Sequence, residues 1–203
     1  MPKSIIAGLA LAILTLQSFA FGVIYCSFGS TVGKPLGSGE QIDVVVETQL
    51  FVPLKGTIKD FDLSLDIKHT SFCDLSIVIQ SPSGKTITVS QYDHYNFILN
   101  KQALGWLTLD NESTVTIDQA PNICIGSFKP SGSKPLSTFY STQSYGLWKI
   151  RICDHIYSDT GIWDGIRFDL GIEPQMQQAV LNIPEPSTLI ISIVSLIIFA
   201  KKR

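Results

Sequence analysis

Apolar and polar residues alternate through most of the central part of this chain. In Leu147-Trp148-Lys149-Ile150-Arg151-Ile152 apolar side chains alternate with basic ones, the period-two pattern of a half-buried strand. The alternation returns over 162–172, where Ile162, Asp164, Ile166, Phe168 and Leu170 stand against Trp163, Arg167 and Asp169. Between the two lies a polar turn ending in Thr160-Gly161, as a hairpin or crossover requires. Upstream, Ile58, Phe61, Leu63, Leu65 and Ile67 alternate with charged residues over 57–69. A further strand is predicted over 74–80. Ser81-Pro82-Ser83-Gly84 is a turn with Pro to set φ and Gly to take positive φ, and 85–91 returns from it as a hairpin.

The remaining segments read less regularly. Residues 27–41, rich in Gly and Ser, are predicted as an entry loop, with a first strand over 42–47. Residues 106–110 and 113–118 read as two short strands about Asn111-Glu112, and 119–146 as a loop-rich stretch. Helical periodicity occurs only near the two termini. Many short strands punctuated by Gly and Pro predict an all-β fold, a β-sandwich or jelly roll.

Composition narrows the function classes. The 203 residues carry a formal charge of −2, and setting aside Lys3, Lys201, Lys202 and Arg203 leaves 11 basic against 17 acidic residues. An acidic domain of this kind gives no reason to expect nucleic acid. Lys3, the apolar run 5–16 and Ser18-Phe19-Ala20 fit a secretory signal peptide over 1–20, with an uncleaved anchor as the alternative. The four cysteines, Cys26, Cys73, Cys124 and Cys153, predict two disulfides in an exported domain, with Cys73–Cys153 and Cys26–Cys124 the favoured pairing.

At the other end, Pro184-Glu185-Pro186 precedes an apolar run, 189–200, and Lys201-Lys202-Arg203. That order resembles the PEP-CTERM sorting signal of Gram-negative bacteria. It implies a transmembrane helix within 184–203 behind a linker over 173–183, with the basic end held in the cytoplasm. The resemblance also implies two partners, the inner membrane and an exosortase that cuts near the box. The exported domain would then reach the cell surface or the extracellular space.

Two blocks in the centre carry a second resemblance. His69, Asp74 and Leu75, then a strand, then Ser81-Pro82 and Gly84 form one; Gly146-x-Trp148, Asp154, Asp159 and Gly161 form the other. Shorter matches are Phe128-Lys129-Pro130 and 135–139. Together, over roughly 45–172, with 21–44 as entry loop and first strand, they resemble the P domain, the β-jelly roll that follows the catalytic domain in subtilisin-like proprotein convertases. Asp110, Asp154 and Asp159 match acidic positions of that pattern and make Ca2+ the candidate cofactor, with turn-fixing carboxylates as the alternative.

The 203 residues contain no Gly-x-Ser-x-Gly elbow and no His-Glu-x-x-His helix, so no catalytic residue is assigned. His69 reads as a turn-stabilising residue, and His94 and His155 as solvated. Asp154 and His155, adjacent on a strand, are expected to point to opposite faces. Trp148 reads as core, whereas Trp163 is expected on the exposed face. The exported domain is thus expected to be a non-catalytic structural or interaction module, in contact with extracellular polysaccharide or envelope proteins. A lectin-like carbohydrate-binding module is the alternative; a hydrolase would need a catalytic pair that the sequence does not display.

Overall fold

The computed structural model describes residues 22–37, 42–92, 101–157 and 159–175. The signal segment, the sorting motif Pro184, Glu185 and Pro186, the apolar run behind it and His94 lie outside them. Among the described residues no helix is long and apolar enough to cross a membrane.

Among the described residues nine strands form two sheets. They are β1 (Ile24–Leu36), β2 (Val44–Val52), β3 (Gly56–His69), β4 (Leu75–Gln80), β5 (Thr86–Ser90), β6 (Gln102–Leu109), β7 (Ile123–Phe128), β8 (Gly146–Asp154) and β9 (Gly161–Pro174). One sheet has the order β1-β9-β3-β6-β7 and the other β2-β8-β4-β5. All neighbours pair antiparallel except β6 and β7. The fold is an all-β sandwich, as the alternation predicts. The two most strongly patterned segments, β8 and β9, belong to different sheets, so the connection between them crosses the sandwich.

Four aromatic rings join the layers. Phe61 on β3 and Phe168 on β9 meet at 4.8 Å, and both lie 5.4–5.5 Å from Trp148 on β8. Phe139, from the short 3-10 turn Leu136–Phe139, packs on Trp148 at 5.0 Å and closes that end. Near-perpendicular rings at such distances gain edge-to-face attraction beyond the area they bury. The indole Nε1 of Trp148 donates to the Ser144 carbonyl at 2.9 Å, so the buried polar atom is satisfied.

The structure departs from the sequence reading in several places. The expected entry loop is a 13-residue edge strand, β1, paired along β9 from Ile24↔Ile172 to Leu36↔Gly161. Its Gly and Ser content lowers strand propensity, but backbone pairing with a central strand supplies the structure, and the outer edge leaves its side chains largely exposed. Close packing uses the small residues: a Cβ on Gly29 would lie 3.0 Å from the Ile166 carbonyl oxygen. The first strand is thus β1 rather than 42–47, and the module begins well before residue 45. The expected strand over 113–118 is instead a loop with one bridge, Thr116↔Lys129, and a 3-10 turn at Ile117–Gln119. The loop-rich stretch contains β7, and β9 runs on to Pro174.

Trp163 is fully buried rather than exposed, its Nε1 donating to the Gly165 carbonyl. The cause is a bulge: Asp66 faces Gly165 but Ile67 faces Trp163, so Asp164 is an extra residue in β9. One inserted residue reverses the inside–outside order beyond it, turning Trp163 in and Ile162 out.

The disulfides are corrected too. All four cysteines are thiols. Cys26 lies on β1 and Cys124 on β7, the opposite edges of a five-stranded sheet. Four strand spacings of about 4.8 Å separate them, far beyond the Cα distance a disulfide spans. Burial first, with a smaller contribution from Cys73, pushes the Cys124 thiol to about 11 despite the opposing charge of Lys101.

Candidate functional site

The resemblance residues gather at the two ends of β8. At its start, Gly146 takes φ +128 and lies against Pro82, 2.7 Å from where a Cβ would stand. Pro82 belongs to the turn of the β4–β5 hairpin, closed by Gly84 N–H to the Ser81 carbonyl at 2.9 Å with Gly84 at φ +87. This end is a packing contact between a turn and a strand.

At the other end of β8, acidic groups and a histidine are sealed from water. The side chains of His69, on β3, and Asp154, on β8, have no solvent exposure, and Nε2 lies 3.2 Å from Oδ2. The other ring nitrogen, Nδ1, faces the Ser71 backbone, 2.8 Å from its oxygen and 3.2 Å from its nitrogen. Asp154 Oδ1 accepts the Ile156 N–H at 3.2 Å. Two glycines press on the pair. Gly37, at φ +73, lies so close over Asp154 Oδ2 that no Cβ fits, and Gly161 lies equally close to the His69 ring.

Beside it, Asp74 hydrogen-bonds Asp159. Burial first and that bond second raise Asp74 to about 6. Burial pushes Asp159 up as well, but the bonds from Asp74 and Thr70 and the nearby His69 outweigh it and lower Asp159 below the ordinary range. The Thr70 hydroxyl donates to Asp159 Oδ1 at 2.7 Å. His69, Asp74, Asp154, Asp159 and Gly161 thus form one knot, whose groups are occupied by one another.

Asp110 is not part of it. The β3–β6 register sets His69 opposite Ala103 and Leu63 opposite Leu109, so Asp110 stands about 20 Å away along the strands. Its oxygens accept the Glu112 N–H at 2.7 Å and the hydroxyls of Ser113 and Ser127 at 3.0 and 3.3 Å. Asp110, Asp154 and Asp159 therefore do not converge on one calcium ion: Asp110 and Asp154 accept backbone N–H bonds of their own loops, whereas Asp159 is held by the side chains of Thr70 and Asp74. Asp110 instead neighbours a second acidic group, Asp60, Asp62 and Glu112. Burial first, then the charges of Asp110, Asp60 and Glu112, raise Asp62 to about 7, and its Oδ1 is buried without a partner.

On the outer face of the four-stranded sheet lies a cluster the sequence reading missed. Val45, Cys153 and Ser76 form one row across β2, β8 and β4. His155, two residues after Cys153, is pinned rather than solvated: Nε2 lies 2.9 Å from Ser76 Oγ and Nδ1 2.6 Å from Asp43 Oδ1. Tyr92 stacks on its ring at 4.8 Å. Asp154 and His155 do face apart, each with a different partner. The order Ser76–His155–Asp43 is that of a hydrolytic triad. Ser76, however, sits within a paired strand and not on the sharp turn that frees amide N–H groups for an oxyanion. Cys26, Cys73 and Cys124 take no part in the cluster.

A family model described as the proprotein convertase P-domain matches residues 58–170. No curated protein sequence matches the chain. Among solved structures, it is similar to the serine protease of Aeromonas sobria, at 10% identity and TM-score 0.43, and to the same protease with its chaperone, at 9% and 0.39. Both alignments cover 73% of this chain, which spans 27% of either protease.

Two expectations follow. Asp62 holds a proton that the unfolded chain releases above about pH 4, so the stability it contributes is present at low pH and lost as pH rises through about 7. Asp62→Asn lacks this loss. Solvent screens the half-buried group, so the variant should gain about 1–2 kcal/mol over wild type between pH 4 and pH 8 in urea melts. Asp159→Asn should lose about 1–2 kcal/mol through its weakened charge-assisted bonds. That loss should be equal in EGTA and in millimolar Ca2+ by thermal melting.

Proposed function

The chain belongs to the proprotein convertase P-domain family, and from that premise we propose that it is an exported, non-catalytic jelly-roll module of the cell surface or extracellular matrix. The observation that carries this reading is the role of the family residues. His69 and Asp154 close on each other with no solvent exposure, Asp74 and Asp159 bond to each other, and Gly146 and Pro82 pack at the other end. Groups so occupied hold a fold together, and none of these family residues pairs as a nucleophile and base facing a substrate.

Export rests on the signal segment, and sorting on Pro184-Glu185-Pro186 with the apolar run and basic end behind it. In this reading the C-terminal helix holds the protein transiently in the inner membrane, and an exosortase releases the domain. Replacing Pro184-Glu185-Pro186 with three alanines should leave full-length protein in the inner membrane fraction. Release of the variant at the normal rate would remove the exosortase from the account.

A second reading, carbohydrate binding, is favoured by Trp106. This indole is 46% exposed on the outer face of the five-stranded sheet, beside a shallow 680 Å³ cleft that Arg167, Asp66 and Asp164 also line. A Cβ on Gly165 would lie 3.1 Å from the ring, so the glycine gives the indole its seat. The other two tryptophans are core. On a glycan array, polysaccharide recognition would appear as hits that the wild-type chain retains and Trp106→Ala loses. Hits that survive in Trp106→Ala would remove the indole from the site.

A further inference from the structure

The geometry points to a site for a divalent late-transition-metal ion, Zn2+ above all, held by Asp43, Cys153 and His155 at the edge of the four-stranded sheet. One oxygen of Asp43, Sγ of Cys153 and Nδ1 of His155 lie within 4.8 Å of one another. The imidazole nitrogen is 3.8 Å from the sulfur and 2.6 Å from the carboxylate oxygen. In a tetrahedral zinc centre with bonds of about 2.0–2.3 Å, nitrogen and sulfur stand about 3.6 Å apart, and nitrogen and oxygen about 3.4 Å. The sulfur–nitrogen edge is already in place. The carboxylate needs to retreat by less than an ångström, and Asp43, with its side chain 64% exposed, is free to do so.

The fold holds the donors for this role. Cys153 and His155 are two apart at the end of β8 and so share one face, while the Val44↔Asp154 and Val45↔Cys153 pairs bring the start of β2, with Asp43 just ahead of it, beside them. The remaining imidazole nitrogen is engaged as a metal-bound histidine requires: with Nδ1 on the ion, Nε2–H donates to Ser76 Oγ at 2.9 Å. Tyr92, stacked at 19° to the ring, fixes its plane. A thiolate, an imidazole and one carboxylate suit zinc, cobalt or copper. Calcium and magnesium take oxygen alone. Three protein donors leave one position, which opens on a 310 Å³ cleft also lined by Val45, Val78 and Arg151. This site is independent of the knot on the inner face and of how the chain is sorted.

Titrating the purified, reduced full-length chain with Co2+ tests the assignment. The expected result is one Co2+ per chain, with the intense visible bands of a tetrahedral centre and a sulfur-to-cobalt charge-transfer band, both removed by Zn2+. Cys153→Ala and His155→Ala should abolish the charge-transfer band, Cys26→Ala should keep it, and Ser76→Ala should weaken binding about tenfold. Circular dichroism confirms that each variant is folded, and Cys153→Ser serves where Cys153→Ala is not. A wild-type chain without the band, or a band that survives in folded Cys153→Ala or Cys153→Ser, overturns the site.

Discussion

The His69–Asp154 pair is the contact on which the rest of the sandwich depends. His69 ends the central strand of one sheet and Asp154 ends one of the two inner strands of the other, so their 3.2 Å contact joins the layers with no solvent on either side chain. Removing one member would strand the other as a buried, unpaired group, which costs about 3–5 kcal/mol. The surrounding chain conforms to the pair. Gly37 and Gly161 are glycines because any side chain would strike the carboxylate or the ring, and the Asp74–Asp159 bond closes the flank.

This arrangement explains how a module of the P-domain family can carry a histidine and three aspartates in its interior. In the interior, polar groups persist only where each finds a partner. Here the partners are one another and the backbone. A residue pattern that looks like chemistry on paper is, in three dimensions, a polar weld between two apolar layers. The aromatic cluster of Phe61, Phe139, Trp148 and Phe168 joins the same two layers by dispersion contacts.

The strand that supplies the weld also separates it from the outer face. Along β8 the side chains alternate, so Asp154 points inward to His69 while Cys153 and His155 face the other way. Structural and binding chemistry therefore occupy adjacent residues without competing for the same groups.

The sequence by itself determined the all-β class, the β4–β5 hairpin and the two long strands, because period-two alternation and the Ser-Pro-Ser-Gly turn are local properties of the chain. It also determined the core place of Trp148, from its matched place in the family pattern, and the opposite facing of Asp154 and His155, which follows from strand geometry alone. Only the tertiary structure decided that the Gly- and Ser-rich segment before Leu36 is a strand, since its partner, β9, lies more than a hundred residues away. Only the structure placed Trp163 inside, because an Asp164 bulge leaves no mark in the alternation. The site residues divide in the same way. That Asp154 and Asp159 belong together was legible from their matched pattern, but Asp110 was wrongly grouped with them and His69, matched in a separate block, was not, because spacing along a chain carries no register between strands. Asp43 and His155 meet through the pairing of β2 with β8, and Asp74 and Asp159 through the docking of two loops. Contacts of that kind are fixed by which strands lie side by side, and strand order is a property of the folded whole.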